Sequence, residues 1–155
     1  MSYHVVAPEA HLYMWTVNTF SAGSDQGILP ALYVCEEIGF KPITLIPWVK
    51  TNVGSPTPYG MRYTEMCIFG VRYRKGMGKN TRYSGTDLVE SVPNAKGLCS
   101  SKDYIHAPRR QHSRKPEEFY SWVESRSRGP YLDLYSRTTR PGWTTEGNQV
   151  GTWNV

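Results

Sequence analysis

Nine of the 18 Lys and Arg residues in this 155-residue chain lie in two short segments that contain no Asp or Glu. Five lie between Arg72 and Arg82, and four lie between Arg109 and Lys115. Clustered Lys and Arg neutralise phosphates, and the tyrosines in and beside the first segment could stack on an exposed base. The two segments therefore indicate nucleic-acid binding, with a solvated surface loop as the alternative.

Lys115 stands where a helix is expected to begin. Pro116 suits the first helical turn, and Glu117 and Glu118 suit the positive end of the helix dipole. Ser113 is a plausible cap. A lysine ammonium at this end adds to the positive dipole, which is unfavourable unless an anion lies there. The sequence therefore predicts an anion beside Lys115, and a solvated lysine is the alternative.

Short apolar and β-branched runs predict strands that are covered on both faces. The runs are His11 to Val17, Ile43 to Val49, Glu65 to Arg72 and Tyr131 to Ser136, with a shorter one from Asp103 to Ala107. Helical patterns run from Asp25 to Gly39 and from about Lys115 to Arg126. The first three elements predict a βαβ unit with parallel strand pairing and a right-handed crossover. Loops are expected from Thr51 to Met61 and from Gly76 to Ser101.

Length and composition bound the class of protein. The chain is long enough for one globular domain, and 13% aromatic with 20% charged residues is unlike a disordered chain. No apolar run has the length of a membrane span, and the first residues lack the pattern of a secretory signal, so a cytoplasmic protein is expected. Cys35, Cys67 and Cys99 fit neither a disulfide framework nor a zinc motif. They are expected to be reduced thiols, and no metal site is expected.

Four local patterns stand in order along the chain. One strand ends in His11-Leu-Tyr-Met-Trp15, and the next closes with Trp48-Val-Lys-Thr-Asn52. His-Ser-Arg-Lys-Pro-Glu at 112–117 opens a helix, and Leu-Asp-Leu-Tyr-Ser-Arg at 132–137 precedes Gly-Trp at 142–143 and Gly-Asn-Gln at 147–149. Together they resemble the adenine-N6 methyltransferase family that includes the catalytic large subunit of the mRNA adenosine methyltransferase and phage and bacterial DNA enzymes. The resemblance covers about residues 10 to 150.

The resemblance implies an α/β fold, a Rossmann-like sheet with helices on both faces, that binds S-adenosylmethionine. By position, Asn148 and Gln149 resemble the family residues that hold the adenosine of the cofactor, and their amides suit ribose hydroxyls and an adenine edge. Arg137 resembles the arginine that reaches the ribose, and Lys115 resembles the lysine that serves the methionine carboxylate. The alternatives are a polar turn before a last strand for the amide pair and a simple surface position for the arginine.

The resemblance also implies a substrate-binding set. Glu65 resembles a family glutamate that opens a strand near the substrate pocket. Lys50 and Asn52 follow a strand and could face the target nucleotide or simply cap a loop. The rest of the set is the basic residues of the first segment, namely Arg72, Arg74, Lys75, Lys79 and Arg82.

The catalytic signature of the family, Asp-Pro-Pro-Trp or a variant that begins with Asn, is not found in this sequence. In that signature, a carboxylate and a backbone carbonyl accept the two hydrogens of the adenine amine and aim its nitrogen at the methyl group. Only ten residues precede the first matching strand, so the sheet is expected to be N-terminally incomplete. A fragment, a lost gene start or a second protein chain would each explain this. No catalytic residue is therefore assigned, and activity is expected to require the missing motif.

The sequence as a whole predicts S-adenosylmethionine-dependent methyl transfer to the N6 amine of adenine in nucleic acid. A single domain, residues 1–155, with a basic loop at about 73–101, would carry this function. DNA is preferred over RNA because the chain is compact and has no obvious RNA-binding extension; no membrane partner is expected. The alternatives are a non-catalytic nucleic-acid-binding partner subunit of a methyltransferase and an RNA adenosine methyltransferase. A generic Rossmann-like hydrolase or oxidoreductase is disfavoured because its glycine-rich and nucleophile motifs are missing.

Overall fold

A computed structural model of the chain describes residues 6, 10–21, 26–72, 102–127 and 129–152. These residues form a mixed α/β fold with two helices and eight strands. In chain order the elements are β1 (His11–Val17), α1 (Ile28–Glu37), β2 (Phe40–Lys50), β3 (Ser55–Thr57), β4 (Gly60–Arg62), β5 (Thr64–Arg72), β6 (Ile105–Ala107), α2 (Glu117–Glu124), β7 (Tyr131–Leu134) and β8 (Trp143–Glu146). The described residues up to 120 belong to one compact unit and those from 121 onward to a second.

The first unit is built on a mixed four-stranded sheet in the order β1-β5-β2-β6. β5 lies between β1 and β2 and is antiparallel to both, whereas β2 and β6 are parallel. The predicted parallel pairing of the first two long strands is therefore wrong, although they do run in the same direction. The physical reason lies in β5, which is buried continuously from Cys67 to Val71 and so favours the centre of the sheet.

Helical residues cover both faces of this sheet. On one face, Cys35 of α1 lies 3.8 Å, sulfur to sulfur, from Met14 of β1. On the other face, the ring of Phe119 in the first turn of α2 packs edge-on against Trp15 and Tyr13. Adjacent side chains of β1 point to opposite faces, so these contacts enclose the strand. The core of the unit lies between them.

Most predicted strands and helices are confirmed, with shifted ends. β1 has the predicted bounds, while β2 and β5 are longer than predicted, and β6, α1 and α2 are shorter. Gly39 ends α1 as predicted, with a φ of 88° that favours glycine. The last predicted strand ends two residues early, at Leu134, because Tyr135 takes a left-handed φ of 62° that cannot continue a strand.

Two local predictions are wrong. The stretch from Thr51 to Met61 is not a plain loop, because it contains β3 and most of β4, which pair as an antiparallel hairpin. Ser113 does not cap α2. It lies four residues before the helix with a φ of 65°, and its hydroxyl is 3.0 Å from Nδ1 of His112.

The second unit contains a parallel pair of strands, β7 and β8, in register from Tyr131 opposite Trp143 to Leu134 opposite Glu146. The rings of Tyr131 and Trp143 stack with centroids 4.7 Å apart. Because the strands are parallel and in register, both end at the same edge. The chain segments that follow the two strands therefore begin close together.

Several expectations concern residues outside the described ranges. Arg74, Lys75, Lys79, Arg82 and Cys99 lie there, as does nearly all of the expected basic loop at 73–101. Cys35 and Cys67 are buried free thiols, as predicted. Within the described ranges, no group of three His, Cys, Asp or Glu side chains is placed to hold a metal ion. Neither described helix has the length and apolar character needed to cross a membrane.

Candidate functional site

A carboxylate between two lysines forms the most strongly charged contact of the first unit. Oε1 of Glu65 lies 2.8 Å from Nζ of Lys50, and Oε2 lies 2.5 Å from Nζ of Lys115. Three elements meet here: the end of β2, the beginning of β5 and the segment that leads into α2. These three residues are called the Glu65 cluster below, and each was a candidate site residue in the sequence.

The register of the sheet places the Glu65 carboxylate. Glu65 lies opposite Val17 of β1 on one side and opposite Trp48 of β2 on the other. Side chains in register share a face of the sheet, and so do residues two apart on one strand. Trp15 and Lys50 therefore project from the same face as Glu65. The cluster is fixed by hydrogen-bonded strands rather than by loops.

The charges of the cluster do not balance. Burial would raise the pKa of the Glu65 carboxyl, but Lys115 and then Lys50 outweigh burial and hold this pKa below its usual range. Glu65 is therefore ionised at neutral pH. Lys50 is 6% exposed, so its ammonium depends on this partner. Two lysines share one carboxylate, which leaves one net positive charge among the three side chains.

Two tryptophans line the Glu65 cluster. Nζ of Lys115 lies 4.8 Å from the ring centroid of Trp15, and Nζ of Lys50 lies 5.2 Å from that of Trp48. The Trp48 indole donates to the carbonyl of Ala107 at 2.9 Å. Nε1 of Trp15, by contrast, is buried and has no hydrogen-bond partner among the described residues. A buried donor of this kind is costly unless a ligand or water accepts its hydrogen.

The sequence argument missed Trp15 and Trp48 as site residues, although both stood in the patterns that carried the resemblance. The available signal was position, because each tryptophan lies near the end of a strand whose neighbour begins with Glu65. Reading that signal required knowledge that β5 separates the two strands.

The anion expected beside Lys115 is present, and the protein itself supplies it. Glu65 offsets the unfavourable placement of the ammonium near the start of α2, so an external anion is not needed for that reason alone. The remaining attraction for an anion comes from the second lysine of the Glu65 cluster. The unfilled indole donor of Trp15 adds to it.

Asn52 has a backbone partner rather than an open amide. Its Oδ1 accepts from the backbone N–H groups of Val53 and Arg109, both at 2.8 Å, and its Nδ2 donates to the carbonyl of Arg109 at 3.1 Å. This geometry matches the loop-capping alternative that the sequence left open. Asn52 thereby ties the end of β2 to the second basic segment.

Arg72 does not join the Glu65 cluster. It is the last residue of β5, whereas Glu65 is the second, and seven residues of strand span about 23 Å. Its guanidinium donates to the carbonyl of Val6, and its backbone N–H donates to the carbonyl of Ala10 at 2.9 Å. Arg72 therefore anchors the chain before β1 at the opposite end of the sheet.

Arg137, Asn148 and Gln149 belong to the second unit. Arg137 is half-buried and follows β7, while the two amides are exposed in the turn that follows β8. The amide pair thus lies after a strand and not before one. The backbone brings their segments together, because the N–H of Tyr135 donates to the carbonyl of Glu146 at 2.6 Å.

Gly147 allows this approach. A Cβ built on Gly147 would lie 2.9 Å from Cα of Tyr135, and its φ of 155° is one that other residues rarely adopt. The three candidate side chains therefore leave from the same edge of the β7–β8 pair. Ligands of α/β proteins bind at the carboxyl ends of parallel strands, where this edge lies.

Fold and site together define an α/β protein that gathers charged and amide side chains at the ends of sheet strands, where such proteins bind ligands. The chain belongs to the MT-A70 family, whose model matches residues 4–149. This is the adenine-N6 methyltransferase family that the sequence patterns resemble. Membership implies methyl transfer to adenine in nucleic acid, generally with S-adenosylmethionine as the methyl donor. Among curated proteins, none matches the chain.

Proposed function

We propose that this protein binds S-adenosylmethionine and takes part in methyl transfer to the N6 amine of adenine in DNA. The observation that carries the proposal is the Glu65 cluster, in which two lysines share one carboxylate beside an indole donor that has no partner among the described residues. Such a site can accept one more anion. Bound S-adenosylmethionine would supply an electrophilic methyl group on a sulfonium centre.

Lys115 is the proposed ligand of the methionine carboxylate. It is 23% exposed, whereas Lys50 is almost completely buried, so Lys115 is the lysine that an incoming carboxylate can reach. Lys50 has a different role. It keeps Glu65 ionised and in position, and Glu65 in turn orients the ammonium of Lys115.

Arg137, Asn148 and Gln149 are the proposed contacts of the adenosine moiety. Amides offer both a donor and an acceptor, which suits ribose hydroxyls and the edge of adenine. Their position after two parallel strands supports this assignment, because ligands bind at that end of parallel strands.

Three finer statements remain proposals. The complete sheet is Rossmann-like, the nucleic acid is DNA rather than RNA, and the protein acts in the cytoplasm. The Asp-Pro-Pro-Trp motif is proposed to come from outside residues 1–155, for example from a second protein chain. Methyl transfer is therefore expected when that motif is supplied.

Calorimetric titration of the chain with S-adenosylmethionine tests the cofactor assignment. Lys115→Met is expected to weaken binding by about tenfold or more, because a hydrogen bond to a charged group contributes about 1.5–3 kcal/mol. Lys102→Met is the matched control, since Lys102 is exposed and packs on Tyr104, outside the Glu65 cluster. Equal loss in both variants, or no binding by the wild-type chain, would contradict the assignment.

Transfer of a labelled methyl group tests the reaction. The chain, together with a segment that contains Asp-Pro-Pro-Trp, is incubated with adenine-containing DNA and, in parallel, with RNA. Label in the N6 amine of DNA adenine supports the proposal, and label in RNA alone would correct the nucleic acid. Salt-sensitive nucleic-acid binding without any affinity for S-adenosylmethionine would instead support the non-catalytic partner subunit.

A further inference from the structure

The β3–β4 hairpin exposes apolar side chains that pack against nothing in the described residues. Tyr59 at its tip is 100% exposed, and Val53, Met61 and Tyr63 are each about half exposed. Folded proteins commonly expose single apolar residues, but four on one short hairpin form a patch. The patch therefore requires a binding explanation.

The tip of the hairpin is held in place. The hydroxyl of Thr57 accepts from the backbone N–H of Tyr59 at 3.2 Å and donates to the carbonyl of Gly60 at 2.7 Å. Pro58 restricts the backbone between them. Tyr59 is thus presented from an ordered turn, which lowers the entropy lost when its ring binds a partner.

Charge at the base of the hairpin favours a polyanion as that partner. Residues 51–64 contain Arg62 and no acidic residue, and residues 104–116 contain four Lys and Arg and no acidic residue. The two segments are joined by the hydrogen bonds between Asn52 and Arg109 and by the parallel pairing of Lys50 with Ala107. Within the described ranges, no ion pair engages Arg62 or Arg109, so both remain available to phosphates.

We infer that the β3–β4 hairpin is a nucleobase-stacking element and that its occupant is a single nucleic-acid strand. Tyr59 stacks on a base of that strand, while Arg62 and Arg109 contact its phosphates. Aromatic rings combined with cations along a backbone are the usual means by which proteins hold single strands. This inference rests on the nucleic-acid substrate of the proposed function and extends it to the bases beside the target.

The spacing places the stacked base away from the target adenine. Six residues of extended chain separate Tyr59 from Glu65, a distance of about 20 Å. A nucleic-acid strand rises about 3.4 Å per nucleotide in a duplex, so the tip reaches a base about six nucleotides from the Glu65 cluster. The hairpin therefore contributes to strand affinity and not to cofactor binding.

Fluorescence anisotropy of the full-length chain with a labelled single-stranded 20-mer DNA measures this contribution. Tyr59→Ala is expected to weaken binding about fivefold or more, as is usual when a stacking aromatic is replaced by alanine. Tyr59→Trp retains stacking and is expected to restore binding. Tyr33→Ala is the matched control, because Tyr33 is 64% exposed on α1 and outside the hairpin. Arg109→Gln is expected to lower the slope of affinity against salt by about 0.7.

The outcomes separate this inference from the proposed function. A wild-type chain that binds S-adenosylmethionine but no DNA or RNA strand overturns the nucleic-acid substrate. Wild-type strand binding that Tyr59→Ala leaves unchanged overturns the hairpin alone. If Tyr59→Ala alters sedimentation of the chain and not strand affinity, the hairpin is a protein-binding surface and the inference is wrong. None of these results depends on methyl transfer.

Discussion

Removal of the charge on Glu65 is expected to destabilise the first unit more than loss of an ordinary surface ion pair. Glu65→Gln keeps the shape of the side chain but leaves Lys50 without a counter-charge at 6% exposure. Breaking a buried pair from one side costs about 3–5 kcal/mol. Glu65 itself is 23% exposed, so the lower end, about 3 kcal/mol, applies here.

A double-mutant cycle separates this cost from a general packing defect. Lys50→Met removes the buried cation while Glu65 keeps Lys115 as its partner. In the Lys50→Met/Glu65→Gln variant no buried charge is stranded, and about 1–2 kcal/mol of the loss is expected to return. Glu117→Gln is the control, because its contacts with Arg110 and Arg114 are exposed and such pairs contribute about 0–1 kcal/mol.

Urea unfolding followed by tryptophan fluorescence gives the free energies, with the slope m compared between variants. Trp15 and Trp48 lie beside the Glu65 cluster and report on it. A Glu65→Gln variant within about 0.5 kcal/mol of the wild type would refute the reasoning, because that is the ordinary range for a surface substitution. Simple additivity in the cycle would refute it as well, since the two residues would then not interact.

Two further predictions concern pH and thiol reactivity. The folded pKa of Glu65 is lowered, so its stabilising effect is present above the unfolded value of about 4.3 and is lost as pH falls through the folded pKa. Urea midpoints between pH 6 and pH 3 should therefore fall more steeply for the wild type than for Glu65→Gln, and parallel curves would exclude this role. Burial raises the pKa of the Cys35 and Cys67 thiols. In a Cys99→Ser variant, a thiol reagent at pH 8 should react only after denaturant is added, and rapid reaction of the native protein would show that the core is open.

The sequence allowed prediction of the elements whose signals are local. β1 has the predicted bounds because a seven-residue apolar run is bounded by polar residues, and α1 ends where Gly39 indicates. The hairpin was missed for an equally local reason. Pro56 and Pro58 argue against strands, and β3 and β4 have only three residues each, too few to show alternation.

The candidate site was only partly predictable because its geometry depends on strand order. Lys50, Glu65 and Lys115 were each singled out, but nothing in their spacing indicated that one carboxylate joins both lysines. That contact follows from the position of β5 between β1 and β2, a long-range pairing that local patterns do not contain. The free amide expected at Asn52 was replaced by backbone bonds to Arg109 for the same reason.

The antiparallel direction of β5 also bears on how this gene can change. Its carboxylate stands at the start of a strand, directly after a hairpin, and not at the end of one. Lengthening the turn around Tyr59 would leave the ladder intact, so relatives can differ there by insertion. Deleting a single residue between Thr64 and Cys67 would instead rotate Glu65 to the opposite side of the sheet. Variation in length should therefore concentrate at the tip and be absent from the strand.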